Sequence, residues 1–425
     1  VERTIATALA LHCRIPEQSK FDRKNYQYPD LPKGYQITQY DQPIGLDGWL
    51  EYEFEGRIER CGIVRVHLEE DTGKTIHSMT DERDVSLVDY NRSGVPLMEI
   101  VSAPEIASPG AARAYFETLR RILVYLGASD GNLQDGSMRV DINVSLLAPT
   151  GDLGTKVEIK NLNSFRAVQR SLQFEIARQG SLISAGEAVQ QETRGWSERT
   201  ETTVLQRSKE QADDYRYFPE PDLPMLRIPS EMIDEIARTL PELPAERRER
   251  LQTQYQLSTA TASTLTEERE IADFFEQSVR AAEQAPAQLI ANWVSGDLLR
   301  LVNESGASID AAGISPQALG TLVDMLVSSS INGPGAKLIL DEIFSTGEDP
   351  KSVADRLNLR QINDDGALAA LIDDVLGSNA AMVDSYRAGK TKVFEALVGK
   401  LIQASNRRAD PARLRALLSA RLDAG

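Results

Sequence analysis

The residues best suited to chemistry lie in one run, His67-Leu68-Glu69-Glu70-Asp71-Thr72-Gly73-Lys74-Thr75-Ile76-His77, which holds two of the chain's three histidines and three consecutive acids. Adjacent carboxylates repel, so such packing is costly unless a cation or water separates them. Mg²⁺ takes oxygen ligands and commonly bridges carboxylates to substrate phosphates, which gives the run one chemical reading. The other is a solvated strand-to-loop turn. The Gly73-Lys74-Thr75 triplet is not a phosphate loop, because that motif requires a glycine where Leu68 stands.

Two further clusters carry charge. Arg139, Asp141 and Asn143 alternate along one segment, and Lys156, Glu158 and Lys160 along another, with Asn161 and Asn163 just beyond. On paired strands these cations and carboxylates interleave on one surface, which exposed antiparallel sheets also do without function. The segment Phe21 to Gln36 mixes Arg23, Lys24 and Lys33 with Tyr26, Tyr28 and Tyr35 around Pro29 and Pro32. Interleaved cations and rings suit phosphate contact with base stacking; a rigid loop explains the prolines equally well. The whole chain is at −17, yet from Arg387 onward nine basic residues face three acidic ones, a local +6. That end is either a phosphate-binding tail or a solvated helical surface.

These residues need elements to hold them. Period-two alternation at Ile63 to Glu69 (Val64, Val66 and Leu68 on one face), at Met138 to Leu146 and at Val157 to Lys160 predicts half-buried antiparallel strands. Ser108-Pro109 opens a helix whose apolar side runs from Ala112 to Leu126 and which Gly127 stops; Ser164 opens another through Ile176. Prolines crowd residues 219 to 244, which predicts a linker or irregular connection. Beyond it the pattern is helical, around 246–256, 267–284, 287–304, 316–329 and 335–346, with starts at Ser315-Pro316, Asp349-Pro350 and Asp410-Pro411. The expected class is α+β, divided into 1–235, 236–350 and 351–425.

The composition is ordinary, at 41% hydrophobic and 26% charged. No apolar run approaches the roughly 20 residues needed to cross a bilayer, so no membrane partner is expected. Val1-Glu2-Arg3-Thr4 does not open the basic-then-apolar pattern of a secretory leader. Cys13 and Cys61 are the only cysteines, too few for the usual zinc site and in no recognisable nucleophile motif. A reducing, cytoplasmic setting is expected, or an organellar one in a eukaryote.

Several segments together carry a resemblance. They are Lys20 to Ile37, Val66-His67-Leu68-Glu69-Glu70-Asp71, Val88-Asp89-Tyr90-Asn91-Arg92, Gly94-Val95-Pro96-Leu97, Val157 to Ser164, Asp214 to Pro224, and Tyr386-Arg387-Ala388-Gly389-Lys390. The chain resembles, nearly end to end, the B subunit of the aspartyl/glutamyl-tRNA amidotransferase. The resemblance implies a mixed, mainly antiparallel cradle domain with a kinase-like site. A helical domain and a small helical tail, similar to stand-alone YqeY proteins, would follow and hold tRNA(Gln) or tRNA(Asn). It implies ATP- and Mg²⁺-dependent phosphorylation of the side-chain carboxylate of Glu-tRNA(Gln) or Asp-tRNA(Asn), then amidation by ammonia from a separate amidase (A) subunit, with a small C subunit joining the two.

For this chain the resemblance implies Glu69, Glu70 and Glu158 as metal ligands, Glu70 and Glu158 preferred, so that Glu70→Gln would abolish activity and spare tRNA binding. Lys160 and Arg139 would meet phosphate or substrate carboxylate, with His67, Lys74 and Asn161 beside the nucleotide. Lys390, Lys392, Arg407, Arg408, Arg413 and Arg415 would hold tRNA. The sequence departs from the family pattern at its start, where a Gly-Leu-Glu-Val-His strand and a cysteine-rich zinc knuckle are expected and not found. A fragment of a longer product, without a zinc site, is therefore the expectation. The alternative is a module that holds tRNA and does no chemistry.

Overall fold

The computed structural model describes residues 1–80, 83–208, 215–362, 364–405 and 408–423. The chain forms two units, 1–244 and 245–425. In chain order the first unit contains α1 (Glu2–Ala10), β1 (Asp22–Asn25), β2 (Tyr35–Thr38), β3 (Gly45–Phe54), β4 (Arg57–Glu70), β5 (Lys74–Thr80), β6 (Arg83–Asp89), β7 (Pro96–Ser102) and α2 (Pro109–Tyr125). There follow β8 (Ile142–Val144), β9 (Val157–Lys160), α3 (Phe165–Ser184), β10 (Glu192–Ser197), β11 (Thr202–Ser208) and α4 (Ser230–Thr239).

The long strand β4 is the centre of an antiparallel sheet in the order β3-β4-β7. Its alternation is not the one expected. The register with β7 shifts between Ile63 and Arg65. An extra residue in one strand reverses which side chains face the core. Ile63 and Val66 are thus buried while Val64 is 42% exposed. Apolar residues Leu50, Tyr52, Cys61, Ile63 and Val66 pack with Tyr115, Phe116, Leu119, Ile122 and Leu123 of α2. That helix starts where expected, with the Ser108 hydroxyl accepting from the Ala111 amide at 3.1 Å. Ser164 caps α3 in the same way, at 3.0 Å from the Ala167 amide.

The second sheet runs β11-β10-β9-β8, with β9 and β10 parallel and the other pairs antiparallel. The strand expected over Met138 to Leu146 is only Ile142–Val144, so Arg139 and Asp141 stand in the loop that enters it. Strand β1 pairs with β2 on one side and with Phe218–Pro219 on the other. The proline-rich stretch is more ordered than its composition predicts. Pro229 and Pro241 flank α4, and Met232, Ile233 and Ile236 of that helix pack with Ile5, Ile44 and Ile228.

The second unit is helical. It starts beyond Pro244, nine residues after the expected boundary at 235. Its expected helix starts are present: the side chains of Ser315, Asp349 and Asp410 accept from the amides of Ala318, Ser352 and Arg413. The stretch expected at 287–304 is Ala287–Trp293 and Leu299–Ser305 joined by a π-helical turn, Val294–Leu298. Buried apolar side chains form two clusters, one from Leu251 to Ala354 and one from Leu368 to Leu422. Among the described residues no single helix is long and apolar enough to cross a membrane.

Candidate functional site

The first unit holds a cavity of about 3190 Å³, walled by the end of β4, the loop at 71–73 and the start of β5, β7, α2, the loop entering β8, and the end of β9. A pocket for a small molecule typically has about 300–1000 Å³, so this space admits something larger.

One wall is acidic. The β4–β7 register sets His67 opposite Glu99, and Glu69 follows on the same face. His67 is 3% exposed. Its Nε2 lies 3.5 Å from Glu69 Oε2 and 3.8 Å from Glu99 Oε2, and one ligand atom of each residue lies within 4.8 Å of the others. His67 Nδ1 is buried with no hydrogen-bond partner. Burial works to raise the Glu69 carboxyl, but the His67 imidazole, Lys24 and the Thr38 hydroxyl outweigh it and hold Glu69 below the usual carboxylate range. One imidazole nitrogen and two carboxylate oxygens make a donor set that fits Mg²⁺ or Mn²⁺, the open positions going to water or phosphate. Glu69 and Glu99 line the cavity, and His67 does not.

Glu70 is not part of this group. Strand alternation turns it away from Glu69: its Oε2 accepts from Lys33 Nζ at 2.5 Å and from the Ile37 amide at 3.3 Å. It does not line the cavity, whereas Glu158 does. The preferred ligand pair, Glu70 and Glu158, is therefore not presented to one space. Glu158 Oε2 accepts from the Thr193 hydroxyl at 2.7 Å, and Oε1 lies 3.6 Å from Lys160 Nζ. Glu99, by contrast, had no signal in the linear sequence; only the cross-strand register brings it to His67.

The cavity lining also carries cations. Lys160 Nζ donates to Asp141 Oδ2 at 2.9 Å. Burial pulls its ammonium down, yet Asp141 and then Glu158 overcome this and raise it, so the group is firmly cationic. Arg139 Nη2 donates to Asp71 Oδ1 at 2.7 Å, and Arg92 Nε lies 3.2 Å from Asp71 Oδ2. Lys74 lines the cavity. So does Asn161, an exposed residue in left-handed backbone (φ +63°) that ends β9, a conformation asparagine tolerates better than most. Nearby, the loop of cations and tyrosines is partly structural: Arg23 donates twice to the buried carboxylate of Glu220, each at 2.7 Å. Lys24 Nζ sits 4.7 Å from the Tyr215 ring centre. The side chain of His77 lies outside the described residues.

The basic end of the chain belongs to the second unit. Lys390 and Lys392 are exposed in the turn between helices Ala380–Arg387 and Val393–Ala404. Arg413 pairs with Asp365 and Arg415 with Glu395, at 2.7 and 2.9 Å, and Arg408 donates to Asn358 Oδ1 at 2.6 Å. Arg407 lies outside the described residues. Cys13 and Cys61 are free and buried, and burial pushes both thiols up to about 11, where neither is a nucleophile at neutral pH.

Comparison with known proteins gives the same family along both units. The model of the GatB/GatE catalytic domain matches residues 1–234, and that of the GatB domain matches 273–422. The aspartyl/glutamyl-tRNA(Asn/Gln) amidotransferase B chain of Carboxydothermus hydrogenoformans is 46% identical over 425 residues, covering 99% of this chain and 88% of the relative. The protein of the same name from Thermomicrobium roseum is 47% identical over 419 residues, covering 98% and 86%. That from Thermosynechococcus vestitus is 45% identical over 435 residues, covering 100% and 86%. With a catalytic-domain model matching more than half of the chain, and relatives this similar along nearly all of it, the chain belongs to the GatB family of tRNA-dependent amidotransferases.

Proposed function

We propose that this chain is the activating subunit of a glutamine-dependent tRNA amidotransferase, phosphorylating the side-chain carboxylate of Glu-tRNA(Gln) or Asp-tRNA(Asn). The observation that carries the reading is one large cavity lined by Glu69 and Glu99 of a His67–Glu69–Glu99 group together with Lys160, Arg139 and Arg92. A carboxylate cannot release oxide to ammonia. Its oxygen must first bond to the γ-phosphorus of ATP as ADP leaves; ammonia then adds at the acyl carbon and phosphate departs with that oxygen. Two anions must meet, so positive charge must stand between them.

In this chain His67 Nε2, Glu69 and Glu99 would hold a divalent cation. Such an ion, when bound, supplies Lewis-acid stabilisation of the transferring phosphoryl oxygens. Lys160, kept protonated by Asp141 and Glu158, meets phosphate or carboxylate oxygens as a point charge. Arg139 adds a planar fork that matches either anion. The cavity's volume suits the aminoacylated end of a tRNA together with a nucleotide. Ammonia comes from a partner amidase subunit, since both cysteines are buried with raised thiols, and a small third subunit joins the two.

The test is phosphoryl transfer from γ-³²P-ATP to Glu-tRNA(Gln) and Asp-tRNA(Asn), with amidase and C subunits present. Glu69→Gln should lower the rate by at least about 100-fold, the scale of losing a group that stabilises transition-state charge, while Glu70→Gln retains most activity. Loss in Glu70→Gln with full activity in Glu69→Gln refutes the assignment of these roles. A second reading draws on the Lys33–Glu70 pair: a module that holds tRNA without chemistry. Absence of any phosphoryl transfer with tRNA binding intact would favour it.

A further inference from the structure

Asp71 follows β4 at the cavity wall and is 5% exposed. Its backbone is fixed on both sides: its amide donates to the Val95 carbonyl at 2.8 Å and its carbonyl accepts from the Gly94 amide at 2.9 Å. Its carboxylate is taken by two guanidiniums from different segments. Arg139 Nη2 holds Oδ1 at 2.7 Å, together with the Thr72 amide at 2.9 Å. Arg92 Nε lies 3.2 Å from Oδ2, and the other end of the same guanidinium donates to the Gly136 carbonyl at 2.7 Å and the Asp135 carbonyl at 3.4 Å. Both arginine side chains are about half exposed, 44% and 51%. All three residues line the cavity.

Two guanidiniums against one carboxylate leave this trio at +1. Asp71 is already bonded through both oxygens. Arg139 spends one nitrogen on it, and among the described residues Nε and Nη1 of Arg139 have no other hydrogen bond. A buried ion pair that served only to tie three segments together would gain nothing from a second, half-exposed guanidinium on the same carboxylate. We infer that Arg92 and Arg139 form a seat for an oxyanion, with Asp71 as the positioning residue that holds both guanidiniums in place before the ligand arrives. The ligand class is a phosphate or carboxylate, an anion with at least two oxygens to accept from the N–H groups the pair has left: Nε and Nη1 of Arg139 and the second hydrogens of the engaged Nη atoms. The inference rests on the proposed activation of a carboxylate by ATP, and names the wall on which one of the two anions sits.

The two sources of such an anion are separable with small probes. Binding of tripolyphosphate and of N-acetyl-L-glutamate α-methyl ester to the whole chain is followed by ligand-observed NMR, for the parent and for Arg92→Lys and Arg139→Lys. Each lysine keeps the charge but loses the planar array of five N–H donors. The expected result is saturable binding of one probe, weakened at least about tenfold in each variant, with melting temperatures close to the parent's. Tripolyphosphate assigns the seat to nucleotide phosphate, and the glutamate ester assigns it to the substrate carboxylate. Should one variant melt early, the other reads the same seat from a different segment. Unchanged affinity for both probes in a folded variant overturns the inference, as does the absence of saturable binding to the parent. Because no turnover is measured, this result stands or falls separately from phosphoryl transfer to tRNA.

Discussion

At the scale of single residues, the sequence marked an acidic run, and the structure divides its members between two sides of a strand. His67, Glu69 and Glu70 are adjacent in the chain, and linear spacing alone cannot say which of two consecutive carboxylates faces the cavity. Alternation on β4 decides it, sending Glu69 to His67 and Glu70 to Lys33. A second group was equally illegible. Glu175, fully buried in α3, accepts from Arg178, Gln179 and Thr203 at 2.7 to 3.0 Å. Burial works to raise its carboxyl, but Arg178 and Gln179 outweigh it, so its pKa in the fold lies below the ordinary glutamate value. A depressed carboxylate stabilises above its unfolded pKa, and that contribution is lost as the pH falls through the folded value. Glu175→Gln should therefore cost about 3 kcal/mol at neutral pH and show a flatter loss of stability on acidification below the ordinary glutamate range. Urea unfolding of parent and variant across that range checks both the size and the slope.

At the scale of elements, helices were more legible than strands. The caps at Ser108, Ser164, Ser315, Asp349 and Asp410 are local chemistry, read within a single turn, and each occurs as expected. Strand faces depend on register, which a distant partner sets. The bulge at Ile63–Arg65 reverses the apparent apolar face of β4, and nothing within the segment signals it. The consequence is measurable. Ile63→Ala, at a fully packed position, should cost about 2–5 kcal/mol, while Val64→Thr should stay within about 0.5 kcal/mol. The uninterrupted alternation read from sequence predicts the reverse order, so the unfolding midpoints of the two variants distinguish them. The short β8 has a similar lesson: Arg139 and Asp141 alternate as strand residues do, yet both serve the cavity from a loop.

At the scale of the whole molecule, composition pointed to a change from mixed to helical structure, expected at 235 and found beyond Pro244, and the charge asymmetry pointed to the basic end. The structure sorts that end further. Arg413 and Arg415 are matched by Asp365 and Glu395, whereas Lys390 and Lys392 are exposed and have no ion pair among the described residues. Free cations neutralise phosphate at lower cost than paired ones. Lys390→Gln with Lys392→Gln should thus weaken tRNA binding and reduce its slope against log salt by about 2. Arg413→Gln with Arg415→Gln should change the slope by less. Filter binding at several salt concentrations provides the comparison; equal effects from both pairs would show that the surface ion pairs impose no selection.

The account turns on a divalent cation held by His67, Glu69 and Glu99. Mn²⁺ titration of the chain, with free ion followed by electron paramagnetic resonance, tests this without any turnover. One site should be weakened by at least about tenfold in His67→Asn and in Glu99→Gln, and should persist in Glu70→Gln. A site that survives Glu99→Gln unchanged and disappears in Glu70→Gln would contradict the account and move the ion to the Lys33 side of β4.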